Sequence, residues 1–232
     1  MVRHWTLLGE ARIPGTASLL SLYRGKDDFF IRIRSEAGGP HSGGPELMNS
    51  RKHGSEDALG TLPCERLADR AGARVLVGGL GMGFTLAAAL RALGPEAEVT
   101  VAELVPELVD WNRGPLGEPS GWPLNDPRTR VHVGDVTRLL RDSPGRFDAI
   151  ALDVDNGPEG LTRESNDWLY TEPGIDCAAR ALRPGGLLAY WSAGPDQGFE
   201  DRLRRCGLRS EVIRVYAHGR KGARHFIWLA TP

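Results

Sequence analysis

Two rhythms of apolar and polar positions divide the chain. Over residues 5–35 the short β-type runs WTLLGEARI, ASLLSLYRG and DFFIRIRS are separated by Pro-Gly and Gly-Lys-Asp-Asp turn chemistry, which predicts an antiparallel meander. EAGGPHSGGP reads as a flexible connection. SEDALGTLPCERLADRAG reads as a helix, with Ser55 able to cap it, Glu56 and Asp57 suited to its positive end, and Pro63 splitting it in two. From residue 73 the rhythm becomes strand, helix, strand: ARVLVGG, TLAAALRAL, EVTVAEL, VPELVDWNRG, RVHVGD and FDAIALDVD. A helix around TEPGIDCAARAL, an RPGG turn and the strand LLAYWSA follow. FEDRLRRCG then predicts a helix, and RSEVIRVYAHG and ARHFIWLAT predict two strands joined by a basic hairpin turn. This alternation predicts an α/β fold, a mostly parallel sheet with helices on both faces, preceded by a small antiparallel β appendage. The expected division is 1–54 for the appendage and linker and 55–232 for the main domain.

Composition narrows the picture mainly by exclusion. The 232 residues carry a formal charge of -1, with 41% hydrophobic and 25% charged residues, so no bulk attraction to nucleic acid or to a membrane surface is expected. The turn HGRKGARH is basic but has no interleaved aromatics, and reads as a solvated hairpin. Cys64, Cys177 and Cys206 lie far apart without metal-ligand spacing, so neither a disulfide framework nor a metal site is expected. No stretch approaches about 18 apolar residues and the first residues lack signal-peptide character, so the expected location is the cytoplasm.

The first strand of the α/β region runs into four glycines, VLVGGLGMGF, before the helix begins. In open α/β sheets ligands sit beyond the carboxyl ends of the strands, and glycines at the first strand-to-helix turn let a ligand approach the backbone. The dinucleotide spacing G-x-G-x-x-G would require a small residue where Phe84 stands. Gly79, Gly81 and Gly83 instead form G-x-G-x-G, which is similar to the first motif of class I S-adenosylmethionine-dependent transferases. Glu103 ends the next strand, 20 residues after Gly83, where a carboxylate can accept from ribose hydroxyls. Asp135 ends the strand after that, and the resemblance implies an adenine contact for it.

The arrangement as a whole resembles the spermidine synthase family of class I transferases, in a methyltransferase-like form. The likeness is carried by ELMNSRKHGSEDALGTLP, the glycine turn, LDVDNGPEG and WLYTEPGIDCAARALRPGGLLAYW. It implies a Rossmann-like class I methyltransferase fold and allows a homodimer. Two departures stand out. The family places an acid facing the aminopropyl arm of the donor where this chain has Gly81, and its Tyr-His-Glu segment is replaced by about Ser55, Glu56 and Asp57. Loss of the acid removes a like charge from the spot that the carboxylate of full S-adenosylmethionine would reach. The expectation is therefore a methyltransferase using S-adenosylmethionine on a small acceptor, an amine among the candidates. The alternatives are a polyamine aminopropyltransferase using decarboxylated S-adenosylmethionine, and a non-catalytic nucleoside-binding protein. A nicotinamide oxidoreductase is disfavoured by Phe84.

An amine acceptor must arrive neutral, and a carboxylate within reach can take its proton. Asp153 and Asp155, at the end of the fourth strand of the α/β region, are the expected catalytic acids, with Asp153 also positioning the donor and Asp155 the candidate base. Glu159 continues an acidic mouth that suits a cation. Trp168 and Tyr170 are candidate walls of the acceptor pocket, core packing being the alternative. His53 is a weaker candidate for reaching donor or acceptor.

Overall fold

In a computed structural model, residues 5–35, 44–67, 70–153, 168–218 and 221–232 are described. The alternating N-terminal runs form β1 (Thr6–Arg12), β2 (Ser18–Arg24) and β3 (Phe29–Ser35), joined by an unanticipated β4 (Glu46–Asn49) in one antiparallel sheet of order β1-β2-β3-β4. Period-two alternation turns Leu20, Leu22, Ile31 and Ile33 inward. They pack on Met82 and Phe84 of the glycine-rich bend and on Leu108 of the helix α3 (Pro106–Arg113), so the small sheet covers that bend.

The second sheet has seven strands in the order β10-β11-β9-β8-β5-β6-β7. Its parallel members are β5 (Arg74–Gly78), β6 (Glu98–Glu103), β7 (Thr129–Val133), β8 (Phe147–Leu152) and β9 (Leu182–Ser192). β10 (Arg209–His218) and β11 (Lys221–Thr231) pair antiparallel with each other, and β11 pairs antiparallel with β9. Buried strands of Val, Leu, Ile and Ala have two apolar faces, as a sheet covered on both sides requires. Val75, Val77, Val99 and Val101 meet α1 (Gly54–Glu65) and α2 (Phe84–Ala92) on one face. Leu76, Ile150 and Leu188 on the other face meet α5 (Val136–Arg141), α6 (Glu172–Ala181) and α7 (Gln197–Arg205). The expected α/β architecture is thus the observed one. Among the described residues no helix is long and apolar enough to cross a membrane.

Several local expectations are corrected. α1 runs unbroken through Pro63, because a proline two residues from the helix end forfeits little of the hydrogen-bond ladder while Leu59, Pro63 and Cys64 bury on the core. Ser55 does not cap α1. His53 occupies the N-cap position without a side-chain cap bond, and the Ser55 hydroxyl is drawn into tertiary contacts. The RPGG segment belongs to β9, as an irregularity in its pairing with β8 at which Gly185 takes φ +74°. The short helices α4 (Gly117–Ser120) and α5, and a 3-10 turn at Pro123–Asn125, have no counterpart in the expected elements. Residues 36–43 of the expected connection and 219–220 of the hairpin turn lie outside the described residues.

α1 and α2 cross at Gly60, where an added Cβ would fall on the Thr85 carbonyl oxygen and within 2.9 Å of the Ala88 Cβ. Gly60→Val is therefore expected to cost about 1–3 kcal/mol by overpacking, read as a lower urea midpoint at unchanged slope. An unchanged midpoint would contradict the packing described.

Candidate active site

The order of the seven-stranded sheet reverses at β5. The chain moves outward from β5 through β6 to β7, then returns to place β8 on the other side of β5. A crevice opens at the carboxyl ends where neighbouring connections diverge, and ligands of open α/β sheets gather there. The glycine-rich bend and Asp153 both leave the sheet at this point: the Asp153 amide donates to the Gly78 carbonyl at 2.9 Å, and the Gly79 amide donates to the Ala102 carbonyl at 2.9 Å.

Gly79, Gly81 and Gly83 take φ of +96°, +51° and +85°, left-handed values that residues with a Cβ rarely adopt. Much of the space beside the glycines belongs to the protein itself. A Cβ at Gly79 would fall on the Asp153 carbonyl oxygen, one at Gly78 would sit 2.7 Å from Leu152 Cδ2, and one at Gly83 would sit 2.7 Å from Asn112 Oδ1. At Gly81 the neighbour is looser, the end of the Met48 side chain with its sulfur at 3.3 Å. Asn112 ties the bend to α3 by donating from Nδ2 to the Gly81 carbonyl at 2.8 Å. Turn geometry and packing therefore explain the glycines even before a ligand is considered.

Glu103 ends β6 with its side chain buried beneath the bend. One carboxylate oxygen accepts from the Leu80 amide at 2.9 Å and the other from the Val105 amide at 2.8 Å. Burial pushes this carboxyl above the usual range, against the opposing pull of the Val105, Leu80, Gly81 and Leu104 amides. The backbone carbonyl of Glu103 also receives the Gly134 amide at 2.8 Å, which brings the end of β7 alongside. Asp135, next in sequence, caps α5 by accepting from the Thr137 amide at 2.8 Å. Across the crevice, Asp153 accepts from the Thr85 hydroxyl at 3.3 Å, linking the end of β8 to the first turn of α2.

The structure thus brings Gly79, Gly81, Gly83, Glu103, Asp135 and Asp153 to one edge of the sheet. Asp155 and Glu159 lie outside the described residues. Trp168 packs on the core beneath the Arg141 guanidinium, 4.4 Å from the ring centroid, so its contacts are those of a core residue. Tyr170 also packs on that core, against Tyr190 and Phe199, and donates from its hydroxyl to the Trp191 carbonyl at 3.0 Å. It lines an open cavity of about 580 Å³ with Ser192, Asp196, Phe199, Arg202 and Trp228. His53 stacks on Phe84 with ring centroids 4.1 Å apart and sets Nδ1 2.7 Å from Asp57. Sequence reasoning missed a second group at this edge, in which Ser55 Oγ lies 2.7 Å from a Glu56 carboxylate oxygen and 2.8 Å from His225 Nδ1. The departure at Ser55 and Glu56 was its only sequence signal, since His225 is 170 positions away.

Comparison with known proteins addresses the chemistry. The family described as the spermine/spermidine synthase domain matches residues 64–195. Spermine synthase of Arabidopsis thaliana is 34% identical over 110 residues, covering 47% of this chain and 27% of that protein. The polyamine aminopropyltransferase of Mycobacterium tuberculosis is 36% identical over 129 residues, covering 53% of this chain and 24% of that protein. The matched stretches thus span about a quarter of the length of these curated relatives. A crystallised spermidine synthase in complex with the transition-state analogue AdoDATO superposes with a TM-score of 0.72 at 16% identity, covering 97% of this chain and 71% of that one. The spermidine synthase of Thermotoga maritima gives the same TM-score and covers 72% of its own chain. At such identity these likenesses speak for the fold.

The expectation of methyl transfer from S-adenosylmethionine is overturned by these matches, since the family is that of the spermine/spermidine synthase domain and the relatives are named a spermine synthase and a polyamine aminopropyltransferase, none of them a methyltransferase. It rested on two departures: the replaced segment at Ser55, Glu56 and Asp57, and the missing acid at Gly81, where the backbone is left-handed and an added Cβ would lie 3.3 Å from the Met48 sulfur. The family match spans more than half of the 232 residues and contains the bend, Glu103, Asp135 and Asp153, and this chain belongs to the spermine/spermidine synthase domain family.

Proposed function

We infer that the chain is a polyamine aminopropyltransferase, moving the aminopropyl group of decarboxylated S-adenosylmethionine to a small amine. The observation that carries this reading is that residues 64–195 of the family match contain the bend, Glu103 buried beneath it at the end of β6, and Asp153 just past the end of β8 on the other side of β5. Glu103 would accept from the ribose hydroxyls, and Asp135 would meet the adenine. Asp153, held by Thr85, supplies negative charge for the ammonium end of the donor, on the side where Gly81 has none.

The donor contributes a carbon activated by a sulfonium leaving group, so the protein's work is alignment, exclusion of water and delivery of a neutral amine. Donor choice then turns on charge. A carboxylate on the donor's arm would be brought toward Asp153, and like charges in a poorly solvated cleft repel by several-fold to many-fold in affinity. Calorimetric titration is expected to show the decarboxylated donor binding about 10-fold or more tighter than S-adenosylmethionine, about 1.4 kcal/mol. Tighter binding of S-adenosylmethionine would overturn the assignment.

A further inference from the structure

Displacement at a carbon bearing a sulfonium is in-line, so the amine must approach that carbon from the side opposite the sulfur. The nucleoside end of the donor belongs to β6 and β7, where Glu103 and Asp135 stand, and its reactive arm to Asp153 past the end of β8. The side away from the sulfur is then the next strand of the sheet, β9. Leu152 of β8 pairs with Tyr190 of β9, so the residues that follow them, Asp153 and Trp191, stand side by side. Leu152 and Tyr190 bury on the face covered by α5, α6 and α7. Alternation turns Asp153 and Trp191 to the other face, where Asp153 meets Thr85 of α2 and Trp191 packs, partly buried, on the core beneath α1 and α2. Trp168 and Tyr170 pack on the opposite face and leave this position to Trp191.

We propose that Trp191 is a specificity-determining residue of the acceptor pocket, its indole ring holding the charged end of an aliphatic diamine whose other end reacts beside Asp153. This rests on the aminopropyl-transfer reading. At neutral pH the amino group that does not react stays protonated, since alkyl ammonium groups titrate at about 10. An ammonium is attracted to the face of an aromatic ring, most strongly to that of tryptophan, and the same ring gives the methylene stem an apolar surface.

The surroundings of Trp191 suit this role. Its carbonyl accepts from the Tyr170 hydroxyl at 3.0 Å, which fixes the end of β9. On the β11 side the His225 ring meets the indole at 63°, with centroids 4.8 Å apart. Burial lowers the His225 imidazole, so it is neutral at neutral pH and adds no positive charge beside a bound cation. The indole Nε1–H is buried without a partner among the described residues. An unmade hydrogen bond costs stability that phenylalanine or leucine at this place would not lose, so packing alone does not explain a tryptophan here.

The test is the KM for putrescine and for decarboxylated S-adenosylmethionine in the whole chain, in Trp191→Leu and in Trp191→Phe. Leucine keeps an apolar side chain and removes the aromatic face. Trp191→Leu is expected to raise the putrescine KM by about 5- to 30-fold with the donor KM unchanged. Trp191→Phe keeps a ring, removes only an unpartnered N–H, and should raise it by about 2- to 5-fold. That smaller rise decides the matter by itself should the leucine variant fold poorly. An unchanged putrescine KM, equal rises in the two variants, or a matching rise in the donor KM overturns the role of Trp191 while leaving aminopropyl transfer standing. A folded wild-type chain that forms no product from donor and putrescine overturns the transfer reading and this role with it.

Discussion

Gly79→Ala is expected to destabilise the fold by about 2–5 kcal/mol, combining a left-handed backbone penalty with overpacking. At φ +96° the new methyl group would be driven onto the Asp153 carbonyl oxygen, and that neighbour is backbone, which cannot swing aside. β5 and β8 would have to separate where the Asp153 amide is held by the Gly78 carbonyl, so the acid nearest the bend moves too. Gly81→Ala is the internal comparison. It also requires a left-handed conformation, at φ +51°, but its methyl would meet only the end of the Met48 side chain at 3.3 Å. A cost of about 1–2 kcal/mol is expected there. Chemical denaturation of both variants checks the difference. Equal losses would mean that backbone conformation alone, and not the contact between β5 and β8, explains the glycine at 79.

Glu103→Gln is expected to weaken binding of an adenosine-bearing donor by about 30- to 1000-fold, about 2–4 kcal/mol, because hydrogen bonds from hydroxyls to a buried carboxylate are stronger than those to an amide. The amide retains one acceptor oxygen for the Leu80 or Val105 N–H, so the fold should survive. Its stability should differ from wild type in a pH-dependent way. The folded carboxyl is raised by burial, so its favourable contribution is present below the ordinary glutamate value of about 4.3 and is lost as pH rises through the raised folded value. Glutamine cannot ionise. The stability of Glu103→Gln relative to wild type should therefore rise across that window and level off above it. Calorimetric titration with methylthioadenosine gives the binding loss, and denaturation at several pH values gives the stability difference. Unchanged affinity would remove Glu103 from the ribose site.

The parts of this protein written in local pattern were the parts legible in its sequence. Alternation marked β1 to β3, apolar runs marked the parallel strands, and the glycines fixed where the chain leaves β5. Glu103, Asp135 and Asp153 could be placed at strand ends because a strand end is a local event. What could not be read was decided by contacts distant in sequence. Ser55 looked like a helix cap because the partner that claims its hydroxyl, His225, stands on another element. β4 is four residues long and exists through its pairing with β3, and α5 spans only six residues under its Asp135 cap. The aromatic pair Trp168 and Tyr170 suited a pocket wall in sequence although core packing is the commoner fate of such residues, and Trp168 makes core contacts. The inference of methyl transfer failed for a different reason. It gave two local departures, at Gly81 and at Ser55, Glu56 and Asp57, more weight than a likeness extending over more than half of the chain.

The proposed aminopropyl transfer would take place at the carboxyl ends of β5 and β8. The most direct measurement separates the nucleoside product after incubation with decarboxylated S-adenosylmethionine and putrescine. Methylthioadenosine is expected in equal amount with an aminopropylated diamine, with loss of both in Asp153→Asn. Formation of neither product by the folded wild-type chain would contradict it.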